Sequence, residues 1–100
     1  SGGGGSPDPV VYSGTVAAAT TENAGPVEYD ESTPLTLGNP GTVGLKYTML
    51  QDDSPVGMEI TVAPGGEQST TLGAFNASGN AIGVKNDDPG IDGEYEIIIG

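Results

Sequence analysis

Residues 42–50 read TVGLKYTML. Val43, Leu45, Tyr47 and Met49 share one parity, and Gly44, Lys46 and Thr48 share the other. That alternation has the period of a β-strand, whose successive side chains point to opposite faces. One face is apolar and the other polar, which describes a half-buried strand in an antiparallel sheet. QDDSP (51–55) has turn composition. VGMEITVAP (56–64) then resumes the alternation, with Met58, Ile60 and Val62 expected inward and Glu59 and Thr61 outward. Two such strands joined by an acidic turn set the class of the chain as all-β.

The same texture extends in both directions. TPLTL (33–37) places Leu35 and Leu37 two apart, before a GNPG turn. VVYSGTVAAAT (10–20) is rich in β-branched residues, with Val10, Tyr12, Val16 and Ala18 on one parity and room for a bend at Gly14. Between these, ENAGPVEYDES (22–32) reads as a turn-rich acidic connection with a short extended piece at Val27–Tyr29. Toward the C-terminus, STTLGAFNA (69–77) carries Leu72 and Phe75 out of register, which a bulge or bend near Gly73 would reconcile. SGN (78–80) suggests a hairpin turn into AIGVKN (81–86), with Ile82 and Val84 inward. EYEIIIG (94–100) ends with Tyr95, Ile97 and Ile99 on one face. Ile98 breaks that pattern. An apolar residue on the second parity marks a strand covered on both faces, or one whose outer face meets another subunit.

No stretch has helical amphipathic spacing. About seven short strands, with turn signals roughly every ten residues, predict a small antiparallel β-sandwich over residues 10–100, immunoglobulin-like in the broad sense. There is no Cys…Trp…Cys framework, so kinship with antibody domains is not implied. Residues 1–9, SGGGGSPDP, have the composition of an extended N-terminal arm or linker, because a residue before Pro is pushed out of the α region.

Charge narrows the function classes. Fourteen Asp and Glu face only Lys46 and Lys85, for a formal net charge of −12. Nucleic-acid binding needs Lys and Arg to neutralise phosphates, so it is excluded as an expectation. An anionic membrane surface is disfavoured in the same way. No apolar run approaches the ~18 residues of a membrane span. Cysteine and histidine are both absent. That removes thiolate chemistry, Cys-ligated zinc, the usual general base and the commonest metal ligand. Ser and Thr are plentiful but lack an activating partner, so no enzyme activity is expected.

Three groups of residues are candidate sites. NDDPGIDGE (86–94) gathers Asn86, Asp87, Asp88, Asp92 and Glu94, hard oxygen ligands on a glycine-rich loop of the kind Ca²⁺ takes. With Asp88 first, the twelfth position of an EF-hand falls on Ile99, where a bidentate Glu is required, so the EF-hand pattern fails. A different loop site, joined by Asp52 or Asp53 across the sandwich end, is the remaining calcium reading, set against a solvated turn of ordinary composition. Asn76-Ala77-Ser78 is an N-glycosylation sequon. Gly2, Gly3, Gly4, Gly5, Pro7 and Pro9 of the arm, with Ile98, are the candidate contacts to a protein partner.

The segment from Leu37 to Leu72 resembles a pattern common in immunoglobulin-like adhesion and surface modules. Asn39–Gly41 precedes a strand, Asp52–Asp53 turns it, and Val56 through Thr70 ends a second strand and opens a third. The resemblance implies β-sandwich geometry and carries no chemistry. The layout, a Gly/Pro arm before a β-domain without Cys, resembles tailed-phage capsid decoration proteins. That resemblance implies a structural protein at a virion surface, clamping capsid or neighbouring subunits in an oligomeric assembly. The alternatives are an extracellular or cell-surface filament subunit, and a small module binding Ca²⁺ or carbohydrate.

Overall fold

The computed structural model describes residues 9–100. The arm residues Gly2, Gly3, Gly4, Gly5 and Pro7 lie outside the described residues. Eight strands follow: β1 (Val10–Val16), β2 (Thr21–Ala24), β3 (Pro34–Gly38), β4 (Leu45–Gln51), β5 (Ser54–Val62), β6 (Glu67–Thr71), β7 (Ala81–Lys85) and β8 (Gly93–Ile99). They form two four-stranded sheets with all pairs antiparallel. Sheet I has the order β1-β8-β3-β6, and sheet II has β2-β7-β4-β5.

The pairing has a simple origin. Val10 faces Ile99, Thr21 faces Lys85, Pro34 faces Thr71 and Gln51 faces Ser54. Each pair steps inward from the two ends of the chain toward one tight turn. The chain is thus a single long antiparallel ribbon, folded at Asp52–Asp53. The ribbon winds so that successive pairs alternate between the sheets, and the β3/β8 and β4/β7 ladders seal the wrap. This is the strand order of a jelly roll. The expected sandwich class therefore holds, with a topology of its own. In the immunoglobulin order the first two strands share a sheet; here they lie in opposite sheets.

Asp52 and Asp53 both take left-handed backbone (φ 51° and 67°), which a two-residue hairpin turn requires and Asp tolerates. The alternation at 43–49 is realised, since Val43, Leu45, Tyr47 and Met49 are all buried. Leu45, Tyr47 and Met49 pack with Leu35, Leu37, Ile82, Val84 and Ile97 between the sheets. Each such aliphatic or aromatic side chain contributes about 1.5–3 kcal/mol by leaving water. The Tyr47 hydroxyl crosses the core to donate to the Gly38 carbonyl, joining the sheets through a buried polar contact. Burial also holds its phenol well above its ordinary pKa.

Three expectations change and one is narrowed. Met58 is exposed rather than inward, because the β4/β5 register shifts between Thr48 and Met49 and places Val56 opposite Met49. Gly57 sits in that irregularity with φ +75°, a conformation suited to glycine. Of the bulge or bend expected near Gly73, the structure has the bend: one turn of 3-10 helix over Leu72–Phe75, which buries Leu72 and Phe75. SGN (78–80) joins strands in opposite sheets, so it is no hairpin. Finally, β2 forms where an acidic connection was expected.

Candidate functional site

The acidic loop comes first, because its residue types promised most. It lies at the end of the sandwich where β7 leaves and β8 begins. Asp52 and Asp53 lie at the opposite end, since β7 pairs with β4 from Ala81 opposite Leu50 to Lys85 opposite Lys46. Five residues of strand separate those ends by roughly 15 Å or more, so the two acidic groups cannot share an ion.

Within the loop Asn86, Asp87, Asp88 and Asp92 each already have a structural partner. Asn86 is buried, and its amide donates to the carbonyls of Val16 (3.2 Å) and Ile91 (2.8 Å). Its side-chain oxygen accepts from the Asp88 amide at 2.9 Å. The Asp88 carboxylate accepts from the backbone of Gly90 (2.9 Å) and Ile91 (2.8 Å). Asp92 accepts from the Ala18 amide at 3.0 Å, clasping the β1–β2 turn. Asp87 turns outward to Lys46 (2.9 Å) and Lys85 (3.6 Å). The Lys46 ammonium is the main cause of its lowered pKa, and Asp87 in turn raises that of Lys46. Glu94 is exposed on β8, opposite Thr15. Among the described residues no three acidic side chains converge as metal ligands. Its hydrogen bonds make the loop a clasp.

Asn76 follows the 3-10 turn in left-handed backbone (φ 57°) and is exposed, as is Ser78. The sequon is therefore accessible.

The outer face of sheet I has two halves. One rung runs Val11, Ile98, Thr36, Ser69 across all four strands and holds no charge. Beside it lie Pro34 and Thr71, with Gly100 donating its amide to the Pro34 carbonyl at 2.8 Å. The next rung in the other direction runs Ser13, Glu96, Gly38, Glu67 and is acidic. Ile98 is half-buried and faces outward, and Val11 beside it is 52% exposed. Pro9, the described end of the arm, packs near Gly100 at the uncharged half. The odd parity of Ile98 signalled this face. Val11 carried no signal of its own.

The outer face of sheet II holds a groove of about 480 Å³. Its central rung is Asn23, Gly83, Thr48, Glu59, so the missing side chain at Gly83 makes the trough. Leu50 leans over Gly83 from one end, and Lys85 stands at the other. Lys46 and Lys85 are direct cross-strand neighbours here. Nothing in the sequence links two lysines so far apart in the chain.

No helix of the described residues is long and apolar enough to cross a membrane. No protein-family model matches the chain, and neither a curated protein nor a solved structure matches it.

Proposed function

We propose that this protein is a non-enzymatic structural module that docks on a larger protein assembly, most concretely a virion decoration protein on a capsid surface. The observation that carries the proposal is the uncharged rung Val11–Ile98–Thr36–Ser69 on the outer face of sheet I. In a chain with net charge −12, a full-width rung without a carboxylate is where contact costs least desolvation. The arm leaves the domain beside this rung, so face and arm can grip one partner together. Docking would gain about 25 cal/mol for each Å² of apolar surface removed from water. The acidic remainder would keep the free protein soluble. Jelly rolls serve in viral capsids and in lectins, so the fold suits the role, but fold alone assigns no function.

Sedimentation of a source lysate through a density gradient tests the proposal. The full chain should travel with large particles. Ile98→Lys, and the chain lacking residues 1–9, should stay at the top while remaining folded by circular dichroism. Electron microscopy of the loaded fraction separates capsids from cell-surface filaments. A wild-type chain found only at the top of the gradient overturns the reading.

The groove over Gly83 favours a second reading, a small saccharide-binding module. Its rung mixes amide, hydroxyl and carboxylate groups over a glycine floor that lets a sugar ring approach. Soluble oligosaccharides should then shift the NMR signals of Asn23, Thr48 and Glu59. A panel that leaves all three unmoved removes this reading.

A further inference from the structure

Each sheet has two edges, and three of the four edge strands are guarded. β2 has only four residues and carries Glu22. β5 carries Pro55, the irregularity at Gly57 and Glu59. β6 opens on Glu67. Short length, proline, irregular register and charge are the devices by which proteins keep sheet edges from pairing with other chains. β1 has none of them. It runs seven residues, VVYSGTV, in unbroken register with β8. Val10 and Val11 are 45% and 52% exposed.

Among the described residues the outer edge of β1 is also open, with no other backbone segment bonded to it. In an antiparallel ladder only alternate residues bond a given neighbour, so half the β1 backbone groups point away from β8. Among the described residues, the one such group held by a side chain is the Val16 carbonyl, which accepts from Asn86. Side chains close the flank of the sandwich beneath the edge. Tyr12 donates to the Pro26 carbonyl at 2.6 Å, and the Tyr95 ring lies against Gly14. The core is thus sealed without covering the β1 backbone.

We propose that two copies of this chain pair through β1, antiparallel about a two-fold axis at Ser13, so that their two sheets I become one eight-stranded sheet. The proposal concerns the edge of sheet I and does not depend on what its face docks against. Two arguments select a second copy as the occupant. Ser13 is the midpoint of β1, so a two-fold axis there pairs all seven residues: Val10 with Val16, Val11 with Thr15, Tyr12 with Gly14. Any other two-fold register loses a rung. Such an isologous contact is the commonest form of homo-oligomer interface.

Charge gives the second argument. Copies that each carry a net charge of −12 repel, so a self-contact costs least where carboxylates are absent. Of the four edges, β1 alone meets that condition. The nearest rung-mates are the two copies of Glu96, opposite Ser13 on β8. Three strand spacings would separate them, roughly 14 Å, beyond the ~8 Å Debye length at physiological salt.

The chain has no cysteine, so a single introduced one reports the contact cleanly. At the two-fold axis, Ser13→Cys places two Cα atoms about 4.5–5.5 Å apart, within disulfide reach. Under mild oxidation the full chain carrying Ser13→Cys should convert to a covalent dimer much faster than Ser69→Cys, on the far edge of the same sheet. Sedimentation velocity of the wild type, from micromolar to millimolar protein in physiological salt, should show a dimer. Val11→Lys should weaken it by roughly tenfold or more, since a charge at the rim must be desolvated or displaced. Circular dichroism of reduced Ser13→Cys checks that it folds. A wild type that stays monomeric throughout, or equal cross-linking of the two cysteine variants, overturns the proposal.

Discussion

At one end of the sandwich Asn39 and Asn86 are each only 1% exposed. At the other, Asn23 and Asn80 are exposed and bond to the hairpin carboxylates, Asn23 to Asp53 at 2.6 Å and Asn80 to Asp52 at 3.1 Å. All four amides sit in or beside turn-rich segments, and all four make side-chain hydrogen bonds. Their surroundings separate them. Asn39 donates to the carbonyls of Val43 (2.7 Å) and Val62 (3.0 Å) and accepts from Gly41, pinning the β3–β4 loop onto the end of β5. Asn86 does the same for the β7–β8 loop and the end of β1. If either amide is removed, buried carbonyls lose their partner and water cannot easily replace it. Where Asn23 or Asn80 is removed, water takes its place. One end is held together by its polar groups, and the other end by Leu72, Phe75 and the backbone.

The sharpest way to break this contrast is Asn86→Asp. The new carboxylate would face the Val16 and Ile91 carbonyls in a buried position, so a loss of more than ~3 kcal/mol is expected. That corresponds to a fall in Tm of about 12 °C or more for a domain of this size. The same substitution separates a clasp from a calcium loop. A cation site would gain a ligand and recover stability with added Ca²⁺. A clasp should melt early with Ca²⁺ or with EGTA. Next in size is Asn39→Ala, which leaves two carbonyls and one amide without their partner and should cost about 2–3 kcal/mol by denaturant titration. Asn80→Ala should cost less than about 1 kcal/mol, because the exposed side chain is replaced by water. The backbone of Asn80 keeps its bonds to Leu50 and Val27. If Asn80→Ala proved as damaging as Asn39→Ala, burial would not be what divides the two ends.

The same contrast explains what the sequence made legible. The β4 alternation could be read because a period of two over seven residues leaves little choice of face. Ile98 could be read as an outer-face residue for the same reason, by its wrong parity. β2 could not, because TENA has no apolar alternation and becomes a strand only by pairing with β7. Alternation alone points Met58 inward, because the irregularity at Gly57 is set from a distance: a Cβ there would collide with the Phe75 carbonyl, eighteen residues on. The acidic loop shows the limit most clearly. Its composition suits a calcium ligand set and a hydrogen-bonded clasp equally well. The clasp shows only through its partners, Ala18 for Asp92 and Val16 for Asn86, and those lie 74 and 70 residues away.

The smallest expected effect lies on the rim of the stapled end, where Asp87 is exposed between the two lysines. Its carboxyl is held below the ordinary value of 3.8, first by its hydrogen bond to Lys46 and less by Lys85. A lowered pKa in the folded state stabilises above the unfolded value and loses that contribution as pH falls through the folded one. For Lys46 the sign reverses. Its value is raised above 10.5, so its contribution is complete below that pH and disappears as pH rises through the folded value. Both groups therefore act together between acid and strongly alkaline pH, and both are screened because they are exposed. Carbon-detected NMR should find the Asp87 midpoint below 3.8 in the wild type. Lys46→Met should raise it more than Lys85→Met does, following the shorter contact of 2.9 Å against 3.6 Å. Neither variant should move the melting transition by as much as Asn80→Ala. Equal midpoints in the wild type and Lys46→Met would mean that solvent already screens the pair completely.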